Sequence, residues 1–234
     1  MTYNFLILSL FFLIPGAVIY ILRRDLRHVI HVMALFSIPF AFTERFFYPS
    51  YWEPVFLFDL ADKIGFGIED LIFVAGLSAF TSTAYAFFFA LGYSAIGELN
   101  LKTILYRGSS VMGAACLLIM ITAFLNIDMI YGSFGIMLGI GCFIALLRKD
   151  LIIPGLTGGI LSTLVYSALC LLLEFLLPGI FRVTWHTDRF LNVFILGIPL
   201  EELLYGFSSG VIATVFYPYV FSKNFRRRCK SSAE

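Results

Sequence analysis

The stretch Val193–Phe221 reads VFILGIPLEELLYGFSSGVIATVFYPYVF. It is long enough to cross a membrane, and its only charged residues are the adjacent Glu201 and Glu202. About 20 apolar residues cross the ~30 Å hydrocarbon core of a bilayer. A carboxylate inside such a segment is costly and is kept where it faces a bundle interior. Six further apolar stretches precede it: Tyr3–Leu22, Val29–Phe47, Gly67–Gly92, Ser109–Leu125, Met129–Leu147 and Leu151–Leu177. No stretch alternates polar and apolar residues with period two, so a barrel is not expected. The expectation is an all-α polytopic membrane protein of about seven transmembrane helices.

The composition agrees. Of 234 residues, 60% are hydrophobic and 13% charged, with a mean hydropathy of +0.94. A soluble domain is about a quarter charged, so this chain has too few charges to coat a water-facing surface. That excludes a soluble globular enzyme, a disordered tail and a nucleic-acid binder. A net charge of +1 gives no overall signal for polyanions.

Basic residues set the orientation. Arg23, Arg24, Arg27, Lys102, Arg107, Arg148, Lys149, Lys223, Arg226, Arg227, Arg228 and Lys230 fall on one side, twelve of the sixteen; Arg45, Lys63, Arg182 and Arg189 fall on the other. The positive-inside rule then predicts a cytoplasmic C-terminus and an external N-terminus. Arg23 and Arg24 follow the first apolar run, so it reads as a retained helix, not a signal peptide. Cys116, Cys142 and Cys170 read as packing residues, and Cys229 as a reduced thiol in the basic tail. No pair suggests a disulfide or a zinc site.

The chain also repeats itself. Arg23-Arg24-Asp25-Leu26 follows the first span, and Arg148-Lys149-Asp150-Leu151 follows the fifth. Glu44 then Pro49 end the second; Glu174 then Pro178 end the sixth. Trp52 and Trp185 lie in the next loops. Gly67-Ile68-Glu69-Asp70-Leu71-Ile72-Phe73 is matched by Pro199-Leu200-Glu201-Glu202-Leu203-Leu204-Tyr205. The offsets grow only from 125 (23 to 148) to 132 (69 to 201). Two parallel three-helix repeats, 1–92 and 129–221, are therefore expected, joined by a linker helix in 93–128 and followed by a basic tail, 222–234. Sites in duplicated membrane folds lie at the repeat interface. Gly135, Gly139, Gly155 and Gly159 are expected to let helix backbones approach closely.

The acidic pairs carry the chemistry. Glu69-Asp70 opens the third span, and Glu201-Glu202 is read as several residues inside the seventh. Glu44 and Glu174 end the preceding spans on the same side, so six carboxyls are expected near one region. Burial and like-charge crowding would keep some protonated beside ionised neighbours, an acid and a base in one site. Adjacent helix residues point about 100° apart, so one member of each pair aims at the centre and the other braces it or meets a loop. Phe73 and Tyr205 follow Glu69 and Glu201 by four residues, offering ring faces to a cation. The bland readings are a helix-cap role for the acids and chance placement of rings in a chain with 27 Phe and 12 Tyr.

Other chemistries find no support. There is no aspartate-rich diphosphate motif, and Gly206 stands where intramembrane CAAX-type proteases need arginine. His28, His31 and His186 lie near span ends and do not make a zinc site. No glycine-rich nucleotide fingerprint follows a strand, and the seventh span has no lysine for a Schiff base before Lys223. No cofactor and no metal are expected.

The repeated unit resembles the lycopene cyclase domain family: a basic helix end, a Trp-bearing outer loop, then Pro-x-Glu-(Glu/Asp)-x-x-(Phe/Tyr). Pro199–Tyr205 matches this motif throughout, and Gly67–Phe73 matches except at Gly67. The chain departs from the family where a Trp-Asp-type helix ending appears as Thr43-Glu44-Arg45 and Leu173-Glu174-Phe175. The resemblance implies redox-neutral cyclisation of lycopene-type ends to β-type rings, with Glu69, Asp70, Glu201 and Glu202 as catalytic acids. Glu201 or Glu202 would protonate the terminal alkene, and the Glu69-Asp70 pair would remove a proton. Phe73, Tyr205, Glu44, Glu174, Trp52 and Trp185 would line the substrate site. The expected partners are a lipophilic polyene or another isoprenoid and membrane lipids, with a homo-oligomer left open. The alternative is a non-catalytic membrane scaffold or a small proton- or ion-coupled transporter.

Overall fold

The structure is a computed structural model, and it describes residues 3–97 and 100–227. Arg228, Cys229 and Lys230 of the basic tail lie outside the described residues. Helices dominate: α1 (Asn4–Leu22), α2 (Arg27–Ala41), α3 (Leu60–Ile64), α4 (Ile68–Thr81), α5 (Ala84–Phe88), α6 (Leu101–Phe124), α7 (Met129–Leu147), α8 (Ile152–Leu176), α9 (Ile180–Thr184) and α10 (Leu200–Val220). Strands β1 (Leu91–Ala95), β2 (Phe194–Ile195), β3 (Ile198–Pro199) and β4 (Lys223–Arg227) form two small antiparallel ribbons, β1–β4 and β2–β3.

Among the described residues, six helical segments are long and apolar enough to cross a membrane, which fits an all-α integral membrane protein. A seventh exists only if Leu57–Ile64 and Ile68–Thr81, bent by 93°, count as one span. The third apolar stretch is thus not the single helix expected over Gly67–Gly92. The hydroxyls of Thr81, Ser82 and Thr83 donate to the carbonyls of Leu77, Ser78 and Ala79 at 2.6–2.7 Å. Such bonds compete with the backbone ladder, and the helix breaks at this run of hydroxyls.

The seventh stretch also starts later than expected. Leu196 (φ 53) and Gly197 (φ +85) form a two-residue turn, with Ile195 paired to Ile198 and Phe194 to Pro199. Two positive φ values in succession match the twist of a tight hairpin. Pro199 then caps α10. Glu201 and Glu202 therefore sit in the first helical turn, not several residues into the span. They occupy the second and third helical positions, as Glu69 and Asp70 do in α4.

Small residues bring the helices together. A Cβ on Gly16 would lie 2.7 Å from the Cβ of Ala79 on α4, and one on Gly76 would lie 2.7 Å from the Phe12 carbonyl on α1. On the α8–α10 contact, Cβ atoms on Gly158 and Gly210 would meet Thr214 and Ser162 at 2.1 and 2.4 Å. Gly155 and Gly159 likewise approach Val215 and Val211 of α10. Gly135 and Gly139 do not behave this way. Added Cβ atoms there would meet nothing within 4 Å, because α6 diverges from α7 beyond Gly132, where a Cβ would lie 2.3 Å from Thr122.

The basic helix ends fold alike. Arg23 and Arg148 each leave helical geometry (φ −126, ψ 80 and φ −130, ψ 80) before a 3-10 turn. Each pairs with the aspartate two residues on, at 2.8 Å to Asp25 and 2.6 Å to Asp150. Arg23 also donates to the Leu91 carbonyl of β1, and Arg148 to the Lys223 carbonyl of β4. These bonds fix the β1–β4 ribbon at the basic end of the bundle and leave the acidic pairs at the other.

Candidate active site

At the acidic end, two connecting segments meet over the helices. Trp52 and Trp185 form an isolated antiparallel bridge. It is flanked by Glu53 N–H to Thr184 O at 2.8 Å and His186 N–H to Tyr51 O at 2.9 Å. Asn4 opens α1 and touches both segments, donating to Thr184 Oγ1 (3.1 Å) and accepting from Val55 N–H (3.1 Å). Beneath this roof lies a chamber of ≈ 70 Å³. Glu44, Asp70 and Glu202 line it, with the rings of Phe5, Tyr51, Trp52, Phe73, Tyr166, Trp185 and Tyr205.

Glu202 is held by three donors. Tyr51 Oη donates to Oε1 at 2.7 Å and Trp185 Nε1 to the same oxygen at 2.9 Å, while Tyr166 Oη donates to Oε2. An indole and two phenols can all donate to it, an arrangement that suits an ionised carboxylate. Tyr51 lies in a connecting segment. Burial, then the nearby Glu202 carboxylate, pushes its phenol well above the ordinary range, so it remains a donor.

Glu44 and Asp70 form the opposite group. Trp52 Nε1 donates to Glu44 Oε1 at 2.7 Å. Asp70 Oδ2 accepts the Gly67 N–H at 2.6 Å. The two carboxyls face the same chamber. Two buried carboxyls so placed repel when both are ionised, an arrangement that favours one shared proton. Among the described residues, the ion pairs are Arg23–Asp25, Arg148–Asp150 and His186–Glu53, and none involves these acids.

The remaining three acids turn away from the chamber. Glu69 Oε1 accepts from Leu57 N–H (2.6 Å), Glu201 Oε1 from Leu191 N–H (2.9 Å) and Glu174 Oε1 from Gly179 N–H (2.8 Å). The second oxygen of each is buried without a hydrogen bond. So three of the six expected carboxyls share the chamber, and three tie loops to helix ends. The helix start explains the division. At the third helical position Asp70 uses an oxygen to cap Gly67 N–H. Pro199 has no N–H to cap, so both oxygens of Glu202 are free for the chamber.

Of the aromatic candidates, Phe73, Tyr205, Trp52 and Trp185 all line the chamber. Sequence reasoning missed Tyr51 and Tyr166. Tyr51 adjoins Trp52 in the loop after the second span, and Tyr166 places a polar tip deep inside the sixth apolar stretch; a buried phenol needs a partner. Among the described residues no group of three or more His, Cys, Asp or Glu side chains could hold a metal ion. His28 and His31 lie against Tyr217 and Tyr20 instead.

The fold and chamber define a helical membrane protein with a carboxylate site walled by aromatic rings. Residues 128–220, from the residue before α7 to the end of α10, match the lycopene cyclase family model, so this part of the chain is similar to lycopene cyclases. Searches of curated proteins and of solved structures return no match.

Proposed function

We propose that this chain closes the acyclic ends of a lycopene-type polyene into β-type rings without net redox change. The observation that carries this reading is the placing, in one chamber, of two neighbouring acids, Glu44 and Asp70, with a third, Glu202, that is held by three donors; in this reading the first two share a proton. The roles run opposite to the initial expectation. The Glu44–Asp70 couple delivers its proton to the terminal trisubstituted alkene. The neighbouring double bond attacks the resulting cation, forming the ring carbon–carbon bond. Glu202 removes a proton from the carbon beside the relocated cation, leaving a ring alkene. One proton enters and one leaves, so the product is an isomer of the substrate. Glu202 then releases its proton to solvent and the Glu44–Asp70 couple takes one up, which completes the cycle. The rings of Phe73, Tyr205, Trp52 and Trp185 stabilise the cation through their faces without reacting with it. Glu69, Glu201 and Glu174 act as latches on the surrounding loops.

In this reading residues 1–92 and 129–221 are related halves, joined by α6. What supports it is the recurrence of the Arg-Asp helix ends, the paired tryptophans and the acids in matching first turns. The basic residues favour a cytoplasmic ribbon end and a chamber toward the opposite face.

The test is conversion of unlabelled lycopene, in deuterated buffer, by membranes that contain the chain. Each ring formed should carry one solvent-derived deuterium, and Glu202→Gln and Asp70→Asn should each abolish ring formation. Full conversion by both variants would overturn the reading.

A further inference from the structure

Three cavities lie end to end, each sharing lining residues with the next. Phe40, Thr43, Phe47, Val74 and Tyr205 line both the acid chamber and a second cavity of ≈ 170 Å³. Val111, Ile136 and Ile140 line both that cavity and a groove of ≈ 530 Å³ between α6 and α7. The groove opens on the outside of the bundle, where two of its lining residues, Leu118 and Phe143, are 39% and 60% exposed.

The second cavity is built for a guest without polar groups. Six serine and threonine residues line it, yet each hydroxyl donates to a carbonyl of its own helical segment. Ser37, Thr43 and Ser78 bond to Ala34, Phe40 and Ala75 at 2.6–3.1 Å. Thr81, Ser133 and Ser209 bond to Leu77, Ile130 and Gly206 at 2.7–3.0 Å. The guest meets methyl, methylene and ring surface. At the far end the rings of Phe36 and Phe216 pack edge to face, centroids 5.2 Å apart. From Tyr205 to Phe216 the wall along α10 runs about 16 Å at 1.5 Å per residue.

We infer that the groove between α6 and α7 is the lateral portal through which a linear hydrocarbon enters from the bilayer, and that the second cavity holds the part of the polyene not being cyclised. This deepens the proposed function and rests on it for the identity of the guest. The portal is formed by the divergence of the two helices. They are clamped at Gly132–Thr122 and open at Gly135 and Gly139, where an added Cβ would meet nothing within 4 Å. Bulk can therefore be added there without disturbing a packed contact.

The chain has two tryptophans, Trp52 and Trp185, and both line the chamber. Their fluorescence reports whether a contact quencher has arrived. The probe is a dibrominated long-chain alkane added to liposomes containing the full chain. The native protein should be quenched saturably. The double variant Gly135→Phe and Gly139→Phe should lose at least fivefold in quenching, with an unchanged melting temperature. Ala114→Phe, on the α6 wall of the same groove, should act likewise and decides the matter if the glycine variant fails to fold. Gly135→Ala with Gly139→Ala should match the native protein. So should Gly113→Phe, whose Cβ points into open space on α6 and lines none of the three cavities. Native-level quenching in folded groove variants overturns the portal, and so does an unquenched native protein. Saturable quenching without ring formation overturns the proposed cyclase instead and leaves the route standing.

Discussion

Trp52 and Trp185 stand side by side, ring centroids 5.0 Å apart, yet their indoles serve opposite ends of the chamber: Trp52 donates to Glu44 and Trp185 to Glu202. The backbone bridge between them ties together the two segments that carry these indoles. The group proposed as proton source and the group proposed as proton acceptor are thus held at one spacing by a single pair of rings.

Replacing one indole by a ring without a donor tests this. Trp185→Phe keeps aromatic bulk and removes one of three bonds to Glu202. A hydrogen bond to a charged group is worth ~1.5–3 kcal/mol, so ring formation should fall about tenfold or more. Product yield per unit of folded protein, read by chromatography, checks it.

The acid pairs should separate by role. Glu202→Gln loses the carboxylate in the chamber and should leave product below about 1% of native, as expected for loss of a general base worth ~100-fold or more. Glu201→Gln keeps an oxygen for the Leu191 N–H and should stay within about threefold, a cost of under ~1 kcal/mol. Equal losses in the two variants would contradict the assignment of Glu201 as a latch.

Gly67 is the one departure from the acidic motif, and its surroundings account for it. A Cβ there would lie 2.5 Å from Glu69 Oε2 and 2.6 Å from the Phe56 ring. Gly67→Ala should destabilise by ~1–3 kcal/mol through overpacking, seen as a lower melting temperature. Gly67→Pro, which restores the motif, should be worse, since it also removes the N–H that Asp70 accepts.

The α1–α4 contact makes a sharper structural prediction. At Gly76 an added Cβ meets backbone of α1, not the end of a flexible side chain. Gly76→Leu should prevent stable folding, whereas Gly113→Leu, facing open space, should be neutral or better by up to ~1 kcal/mol from helix propensity. Monodisperse yield after detergent extraction distinguishes them.

Tyr51 supplies a pH test. Its phenol is raised in the folded protein, first by burial and then by Glu202. The stability this contributes is complete below the unfolded value of about 10 and is lost as pH rises toward the folded value. The melting temperature should therefore fall between about pH 10 and pH 11 more steeply in the native chain than in Tyr51→Phe. Parallel curves would show that Tyr51 is not sealed against Glu202.

Much of the architecture was legible in the sequence because membrane helices announce themselves by length and apolarity. Arg23, Arg148, Trp52, Trp185 and both acidic pairs stood out as polar features in an oily chain. The breaks were harder. The hydroxyls of Thr81–Thr83 can close back on their own helix, which hydropathy does not register, and the hairpin at Leu196-Gly197 is as apolar as the helix it precedes. Because that hairpin fixes where α10 begins, it also determines which acid faces inward. Gly135 and Gly139 misled for a related reason: small residues permit close approach, but only the partner helix determines whether it occurs. Tyr51 and Tyr166 were hidden among many aromatics until their hydroxyls met Glu202.

The hydroxyls that fold back onto their own helices have a kinetic consequence. A guest lying against them finds no anchor along its length and is free to slide like a thread through a smooth sleeve. Its reacting end must then be stopped by shape alone, at the ring-walled chamber in front and the Phe36–Phe216 floor behind. Lengthening or shortening the guest should change how often the correct double bond stands beside the acid, even if it binds equally well.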